Sequence, residues 1–369
     1  MSKIKIETLT PVHIGSGNKI SKMEMTSFKD GEDSFIGIVS PEKVINLIGE
    51  HNLSNWVTFI SQNKPLEDFI RKFAPKARPA DYISRSILAY DGISNELKEC
   101  LHNGSGLPYI PGSSIKGAIR TAIIARFVEG KNYSSKVEVK GRPSAKQVEF
   151  MLTTNCISQG DTPNSDFFRF LKVGDAYFEK DCEIALMAIN LNIRSGHDSL
   201  IDESKKMLTE AICADTDTTF SLKVDKNISD WCASQSSRVK VKAVPDFMSS
   251  TDLLFGEINR HTISLLQSEI EYWNRIDKDG ATEYIETMED MLSIANSCKI
   301  GSCVLRIGAG CGWRFMTGAW TENYDNFESF IVPASRPRNA VYKDYDFPKS
   351  RRIDRDGSVF GFVKLTKMD

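Results

Sequence analysis

The chain has 369 residues, 41% of them hydrophobic, enough for two domains or one enlarged domain with insertions, and it excludes a disordered polymer. Its apolar runs, such as 185–189 and the block at 119–128, fall short of the roughly 18–20 residues that a membrane span needs. The net charge of −2 hides two basic islands: Lys131, Lys136, Lys140, Arg142 and Lys146 against Glu138, and Arg336, Arg338, Lys343, Lys349, Arg351 and Arg352 against Asp344 and Asp346.

In chain order, Ile4 and Ile6 alternate with Lys3, Lys5 and Glu7, the period of a half-buried strand, and Pro11 with Gly15-Ser16-Gly17 closes it. A second strand is expected at 34–39, after the turn Lys29-Asp30-Gly31, and Pro41 opens a helical region reaching to about residue 102. From Ser114, the positions Ile115, Ala118, Ile119, Ala122, Ile123 and Phe127 recur at three and four, so an amphipathic helix begins there, with a serine suited to its N-cap. Residues 131–163 are basic and turn-rich, as in a protruding arm. Strands are expected at 167–178, 182–192 and 218–224, helices at 258–273 and 281–295, and strands again at 302–307 and 357–365. Glu283, Glu286, Glu289 and Asp290 occupy the outer face of the helix at 281–295. Strands separated by helices, with a strand near each end, read as an α+β fold.

The eight cysteines, at 100, 156, 182, 213, 232, 298, 303 and 311, form no C-x-x-C pair and read as reduced thiols. Cys298, Cys303 and Cys311 lack ligand spacing and a nearby histidine, so neither a metal nor a cofactor is expected. The segment after Met1 has no long apolar core or small-residue cleavage site, from which we expect a cytoplasmic protein without membrane contact.

Three segments carry chemistry. In Pro111-Gly112-Ser113-Ser114-Ile115-Lys116-Gly117-Ala118-Ile119-Arg120, a Gly-Ser-Ser helix entry offers free amides and the positive dipole end, and Lys116 and Arg120 lie one turn apart. Such an entry is also simply how an ordinary capped helix starts. The other two are glycine loops, Thr10-Pro11-Val12-His13-Ile14-Gly15-Ser16-Gly17 and Gly308-Ala309-Gly310-Cys311-Gly312-Trp313-Arg314. Neither is a dinucleotide fingerprint; both allow close backbone approach, and tight turns alone would also explain them.

In this order the three segments resemble the RAMP superfamily of CRISPR proteins, where a first strand enters T-P-x-H-x-G-x-G, a helix carries I-P-G-S-S-x-K-G-x-x-R, and a glycine-rich loop lies near the C-terminus. The ending Pro348-Lys349-Ser350-Arg351-Arg352-Ile353, then Gly361-Phe362-Val363-Lys364-Leu365, with the chain length and the insertion before Pro111, resembles the type III-A (Csm) RAMP subunit that caps the 3′ end of the guide RNA. The resemblance implies a ferredoxin-like, RRM-like core at 1–40 and 103–225 with a helical insertion at 41–102 and a basic arm at 131–163. A helical region at 226–300 and C-terminal strands at 301–369 would follow, with a second, degenerate ferredoxin-like half. It implies as partners the 3′ part of the single-stranded crRNA, target RNA in the assembled complex, Csm backbone and small subunits, and host nucleases that trim the guide. RNA contacts are then expected from His13, Gly15, Gly17, Ser113, Ser114, Lys116, Arg120, Lys140, Arg142, Gly308, Gly310, Gly312, Arg314, Lys349, Arg351 and Arg352, with stacking from Trp313 or Phe315.

Other readings compete with this one. His13 sits where guide-processing endoribonucleases of the superfamily keep a general acid or base, although the non-cutting subunits also carry such a residue. Asp30 and Asp33 fall in the interval where backbone subunits that cleave target RNA place an aspartate, but the expansion before Pro111 leaves neither equivalent, and a turn at Lys29-Asp30-Gly31-Glu32-Asp33 explains them better. A subunit that only contacts proteins would use the acidic face around 283–290. No coherent acid, base and positioning set emerges, so we expect a non-catalytic protein.

Overall fold

The alternation at the N-terminus is realised in strand β1 (Ser2–Thr8), where Ile4 and Ile6 are fully buried while Lys3, Lys5 and Glu7 keep solvent contact. The structure is a computed structural model that describes residues 1–62, 64, 66–128, 167–194, 196–225, 246–276, 278–316 and 348–368. Among these, β1 is the middle strand of a five-stranded antiparallel sheet in the order β13 (Ser302–Arg306), β15 (Phe362–Met368), β1, β12 (Asp217–Val224), β8 (Leu171–Val173). Helices α4 (Gly112–Val128) and α5 (Thr251–Asn274) cover this sheet. Ile115, Ile119 and Ile123 of α4 meet Leu254, Phe255 and Ile258 of α5 over Ile4, Ile6 and Leu365. Each such side chain contributes about 1.5–3 kcal/mol by leaving water. Of the stripe expected on α4, Ile115, Ile119, Ala122 and Ile123 are buried, Ala118 is half-buried and Ile124 widens it; the side chain of Phe127 lies outside the described residues.

A second, mixed sheet runs β2 (Gly15–Ser21), β6 (Glu96–Cys100), β11 (Ile201–Ile212), β10 (Glu183–Asn192), β5 (Ile83–Ala89), β4 (Asp33–Val39), β3 (Met25–Asp30), with β14 (Ser350–Ile353) beside β10. The β5–β10 and β6–β11 pairings are parallel. Its inner face packs on the C-terminal half of α5 and on α6 (Thr282–Asn296), through Leu266, Tyr272, Trp273, Tyr284 and Met288. Helix α5 therefore serves both cores, and Ser250 caps it by accepting from the Leu253 amide at 3.2 Å. Glu283, Glu286, Glu289 and Asp290 of α6 are exposed, as the sequence pattern implies. The architecture is α+β.

The expected elements shift in several places, and the strand expected at 167–178 begins as a 3-10 helix at Phe167–Phe170 and splits into β8 and a two-residue strand at Ala176–Tyr177. The helical region from Pro41 breaks into α1 (Pro41–Ile48), α2 (Leu53–Ser61) and α3 (Leu66–Phe73) around Trp56 and Phe69, and then gives way to β5 and β6 before residue 102. Gly15 and Gly17 do not close β1; they open β2, where the register with β6 slips between Gly15 and Lys19. The strand expected at 357–365 starts later, at Phe362, after a turn carrying Gly357 and Gly361 at φ of +81° and +97°. The expected arm at 131–163, with Lys140 and Arg142, lies outside the described residues.

Candidate functional site

The two glycine loops, far apart in sequence, are packed on each other by backbone contacts. Gly361 donates its amide to Pro11 O at 2.9 Å, Ile307 donates to Gly361 O at 2.8 Å, and Ala309 donates to His13 O at 2.9 Å. A Cβ at Gly308 would lie 2.6 Å from His13 O, and one at Gly361 only 2.2 Å from Ile307 O. Glycine is needed here so that protein backbone can meet protein backbone. That differs from the expectation that Gly308 and Gly310 serve the approach of RNA: a Cβ at Gly310 would press on Phe360.

Between the first loop, α4 and the second loop lies an open cleft of about 450 Å³. Ile14 and Gly15 enter it from the first loop, Ser114 and Gly117 from α4, and Arg306, Gly308 and Phe315 from the second. The three segments singled out in the sequence thus converge on one surface. The start of α4 differs from the expected serine cap: the helix begins at Gly112, whose amide donates to Asp175 Oδ1 at 2.7 Å, and Pro111 O accepts from Ser114 and Ile115. A carboxylate of the protein itself occupies part of the amide cradle. Gly112 is obligatory, since a Cβ there would sit 2.3 Å from Val173 O. Ser113 is exposed and Ser114 half-buried.

On the other side of the Gly308–Gly310 turn is a second, smaller cleft of about 40 Å³, lined by Lys98, Arg352, Thr209, Ala309, Gly310 and the edge of His13. Burial, then the charges of Arg352 and Lys19, push the Lys98 ammonium below its usual range. Two cations facing one small cleft give it a positive potential. Arg352 is held there by Asn190 Oδ1 at 2.9 Å and Lys205 O at 3.0 Å. Lys98 was missed in the sequence because Glu96-Leu97-Lys98-Glu99 reads as a net acidic surface; Lys19 on the neighbouring strand and Arg352 across the cleft make its surroundings basic.

Several expected contacts are withdrawn into the fold. Arg351 and Arg314 are buried on Glu269, at 2.6 and 2.9 Å, so their charges are neutralised internally and do not face phosphate. His13 is 5% exposed, and its Nδ1 donates to Glu210 O at 2.6 Å. Burial, with a smaller effect of Lys98, pushes its pKa below the ordinary value against the pull of the Glu210 carbonyl. The imidazole, pinned to β11, fixes the loop. Lys116 and Lys349 are half-buried, and the Arg120 guanidinium lies 4.6 Å over the Phe168 ring. Gly17 and Gly312 both have positive φ, at +90° and +78°, and Gly15 is exposed at the cleft mouth. Trp313 is half-buried. Asp30 and Asp33 face each other across the β3–β4 turn.

The residue that sequence reading overlooked in the large cleft is Arg306, which ends an apolar strand and resembles an ordinary strand terminus. Its Nε donates to Phe360 O at 2.9 Å, and its guanidinium lies 4.6 Å from the rings of both Phe315 and Phe362. Among the described residues its buried Nη1 has no acceptor. An unsatisfied donor of this kind costs about 1–3 kcal/mol.

One buried cluster has the ligand types of a metal centre: Cys100, Glu183 and Glu210 bring their donor atoms within 4.8 Å of one another. Those donors are already engaged. Arg85 forks onto Glu210, with its Nη2 at 3.1 Å, and reaches Glu183 at 3.6 Å; His102 lies 2.9 Å from Glu183, and the Cys100 amide donates to Glu210 at 2.8 Å. Burial and the two carboxylates push the Cys100 thiol well above its usual range, so it stays protonated. The cluster reads as an ion-pair network joining β5, β6, β10 and β11.

No helix among the described residues is long and apolar enough to cross a membrane. A Methanocaldococcus jannaschii protein named CRISPR system Cms protein Csm5 is 28% identical over 190 residues, covering 47% of this chain and 42% of that protein. A Streptococcus thermophilus protein of the same name is 31% identical over 137 residues, covering 33% and 37%. The match thus spans less than half the length of either relative. A chain of the type III-A Csm-crRNA-target RNA ternary complex superposes with a TM-score of 0.68 at 17% identity, covering 100% of both chains. Csm5 of T. onnurineus superposes with a TM-score of 0.62 at 18% identity, covering 97% and 99%. At such identities the superpositions establish a shared fold. The RAMP superfamily pattern itself matches residues 5–315, from β1 through both glycine loops to Phe315, and the chain belongs to that superfamily.

Proposed function

We propose that this chain is a non-catalytic crRNA-binding subunit of a type III-A Csm effector complex and that it caps the 3′ end of the guide. The observation that carries the reading is the convergence of the first loop, the α4 entry and the Gly308 loop on one cleft, with the Lys98 and Arg352 cations across the same loop. Guide RNA lies over this surface, its phosphates toward the cationic cleft. The names of the two curated relatives, and the crRNA complex to which the structural neighbour belongs, support this assembly. We read the five-stranded sheet with α4 and α5 as the ferredoxin-like RAMP core, and Lys140 and Arg142 as further RNA contacts. Gly15, Ser113, Ser114, Lys116, Arg120 and Lys349 remain RNA contacts in this reading. Backbone and small Csm subunits are the protein partners, and trimming nucleases act at the guide end that this chain covers.

Reconstitution with and without the chain, followed by mapping of both guide ends, tests the proposal. Omission should leave the complex assembled and change the distribution of 3′ ends, with 5′ ends untouched. Altered 5′ ends with identical 3′ ends would place the chain at the opposite end of the filament.

A further inference from the structure

The large cleft has the lining of a site for a nucleobase. Its walls are mostly carbon, from Ile14, Ala118, Ile307, Phe315 and Met316, and no carboxylate or lysine lines it among the described residues. Its single cation, Arg306, is 3% exposed, with Phe315 and Phe362 against the guanidinium. A phosphate would have to shed its water to enter such walls and would meet one cation already covered by two rings. A base offers what the cleft lacks: flat apolar faces, and edge oxygens or ring nitrogens that accept a hydrogen bond. About 450 Å³ accommodates any of the four bases.

We propose that this cleft takes one unstacked base of the bound single-stranded RNA, which lies against Phe315 and, by displacing the cover over Arg306, gives its buried, partnerless Nη1 an acceptor. The inference rests on the RNA-binding reading and adds a base site to it. Ala309 borders both clefts, so a nucleotide crossing the Gly308–Gly310 turn sets its phosphate toward Lys98 and Arg352 and its base into the carbon-lined side. Every base carries an acceptor, so one Arg306 donor fixes a position along the strand without demanding a sequence.

The test uses the complex reconstituted on a guide of defined sequence, which fixes the register. 2-Aminopurine is walked through the 3′ third of the guide in complexes holding the wild-type chain, Phe315→Leu or Gly117→Leu. Gly117 is chosen because a Cβ there meets nothing within 4 Å, so leucine grows into the cleft without breaking a contact. One guide position, and only one, should change its emission at least about twofold in both variants, and an abasic nucleotide at that position should speed release of the wild-type chain about tenfold. A flat walk overturns the base site. So does a single position that responds to a methylphosphonate linkage but not to base removal, which would make the cleft a phosphate site. A wild-type chain that never joins the guide-loaded complex would overturn the RNA-binding reading itself.

Discussion

Arg351 grips Glu269 with one edge of its guanidinium, Nε donating to Oε2 at 2.6 Å and Nη2 to Oε1 at 2.7 Å. Arg314 adds a bond at 2.9 Å and the Tyr284 hydroxyl donates at 2.6 Å, so one buried carboxylate on α5 ties down β14, the end of the Gly308 loop and α6. Burial alone would raise the Glu269 pKa, but the two arginines outweigh it and hold it at about 2, against an ordinary 4.5. This group therefore stabilises the fold fully above pH 4.5 and loses that contribution as pH falls from 4.5 toward 2. Glu269→Ala should cost about 3–5 kcal/mol at neutral pH, because two buried cations are left uncompensated. Urea unfolding followed by tryptophan fluorescence should show that loss, and the variant should lack the wild-type acid dependence in that window.

His13→Ala should destabilise by about 1–3 kcal/mol, since it leaves the buried Glu210 carbonyl with only the weak Cys100 thiol donor at 3.2 Å. The folded imidazole resists protonation relative to its ordinary 6.5. Its contribution is complete above that pH and declines as pH drops below it, where the unfolded chain takes the proton more readily. Wild-type protein incubated with labelled guide and target RNA should produce no cleavage. Cutting by the wild type that His13→Ala abolishes would make the residue catalytic.

Gly361 and Gly17 separate packing from backbone conformation. Both have positive φ, +97° and +90°, but a Cβ at Gly361 would strike Ile307 O and lie 2.8 Å from Cys311 Sγ, while one at Gly17 would meet nothing within 4 Å. Gly17→Ala should cost only the conformational penalty, about 1–2 kcal/mol. Gly361→Ala should cost clearly more, as the loop pair must separate. Equal losses in thermal denaturation would show that the loops yield easily.

Where one period governs a segment, its residues reveal their own faces. Ile4 and Ile6, Ile115, Ile119, Ala122 and Ile123 on α4, and the Tyr284, Met288, Met291 and Ala295 face of α6 are buried as their spacing implies. Strand β11 was illegible because Glu203-Ser204-Lys205-Lys206 runs exposed through its middle, and only pairing with β10 and β6 makes it a strand. The basic island at 349–352 misled for a related reason. On a strand, neighbours face opposite ways, so Arg351 goes to Glu269 while Arg352 goes to the cationic cleft. Composition marks both as basic; only β14 assigns them different work. Arg306 gave no signal, because its importance lies in which rings and loops surround it.

Lys98 and Arg352 provide the clearest electrostatic test of where phosphates lie. Both pKa values are lowered, first by burial, and Lys98 also feels Arg352 and Lys19, so the pair is mutually repulsive in the free protein. An RNA phosphate entering between them would relieve that repulsion and release counterions. Lys98→Gln with Arg352→Gln should leave the fold intact, weaken RNA binding at low salt and reduce the slope of log affinity against log salt by about 1.4, at ~0.7 per single-strand phosphate contact. Lys116→Glu with Arg120→Glu serves as the comparison on α4. It should also weaken RNA binding and flatten the salt dependence, but with some loss of stability, because Arg120 lies over Phe168. If the Lys98 and Arg352 pair is neutralised, circular dichroism is unchanged and the salt slope does not move, phosphates do not cross the Gly308–Gly310 turn on that side. The guide path would then have to be redrawn along α4 alone.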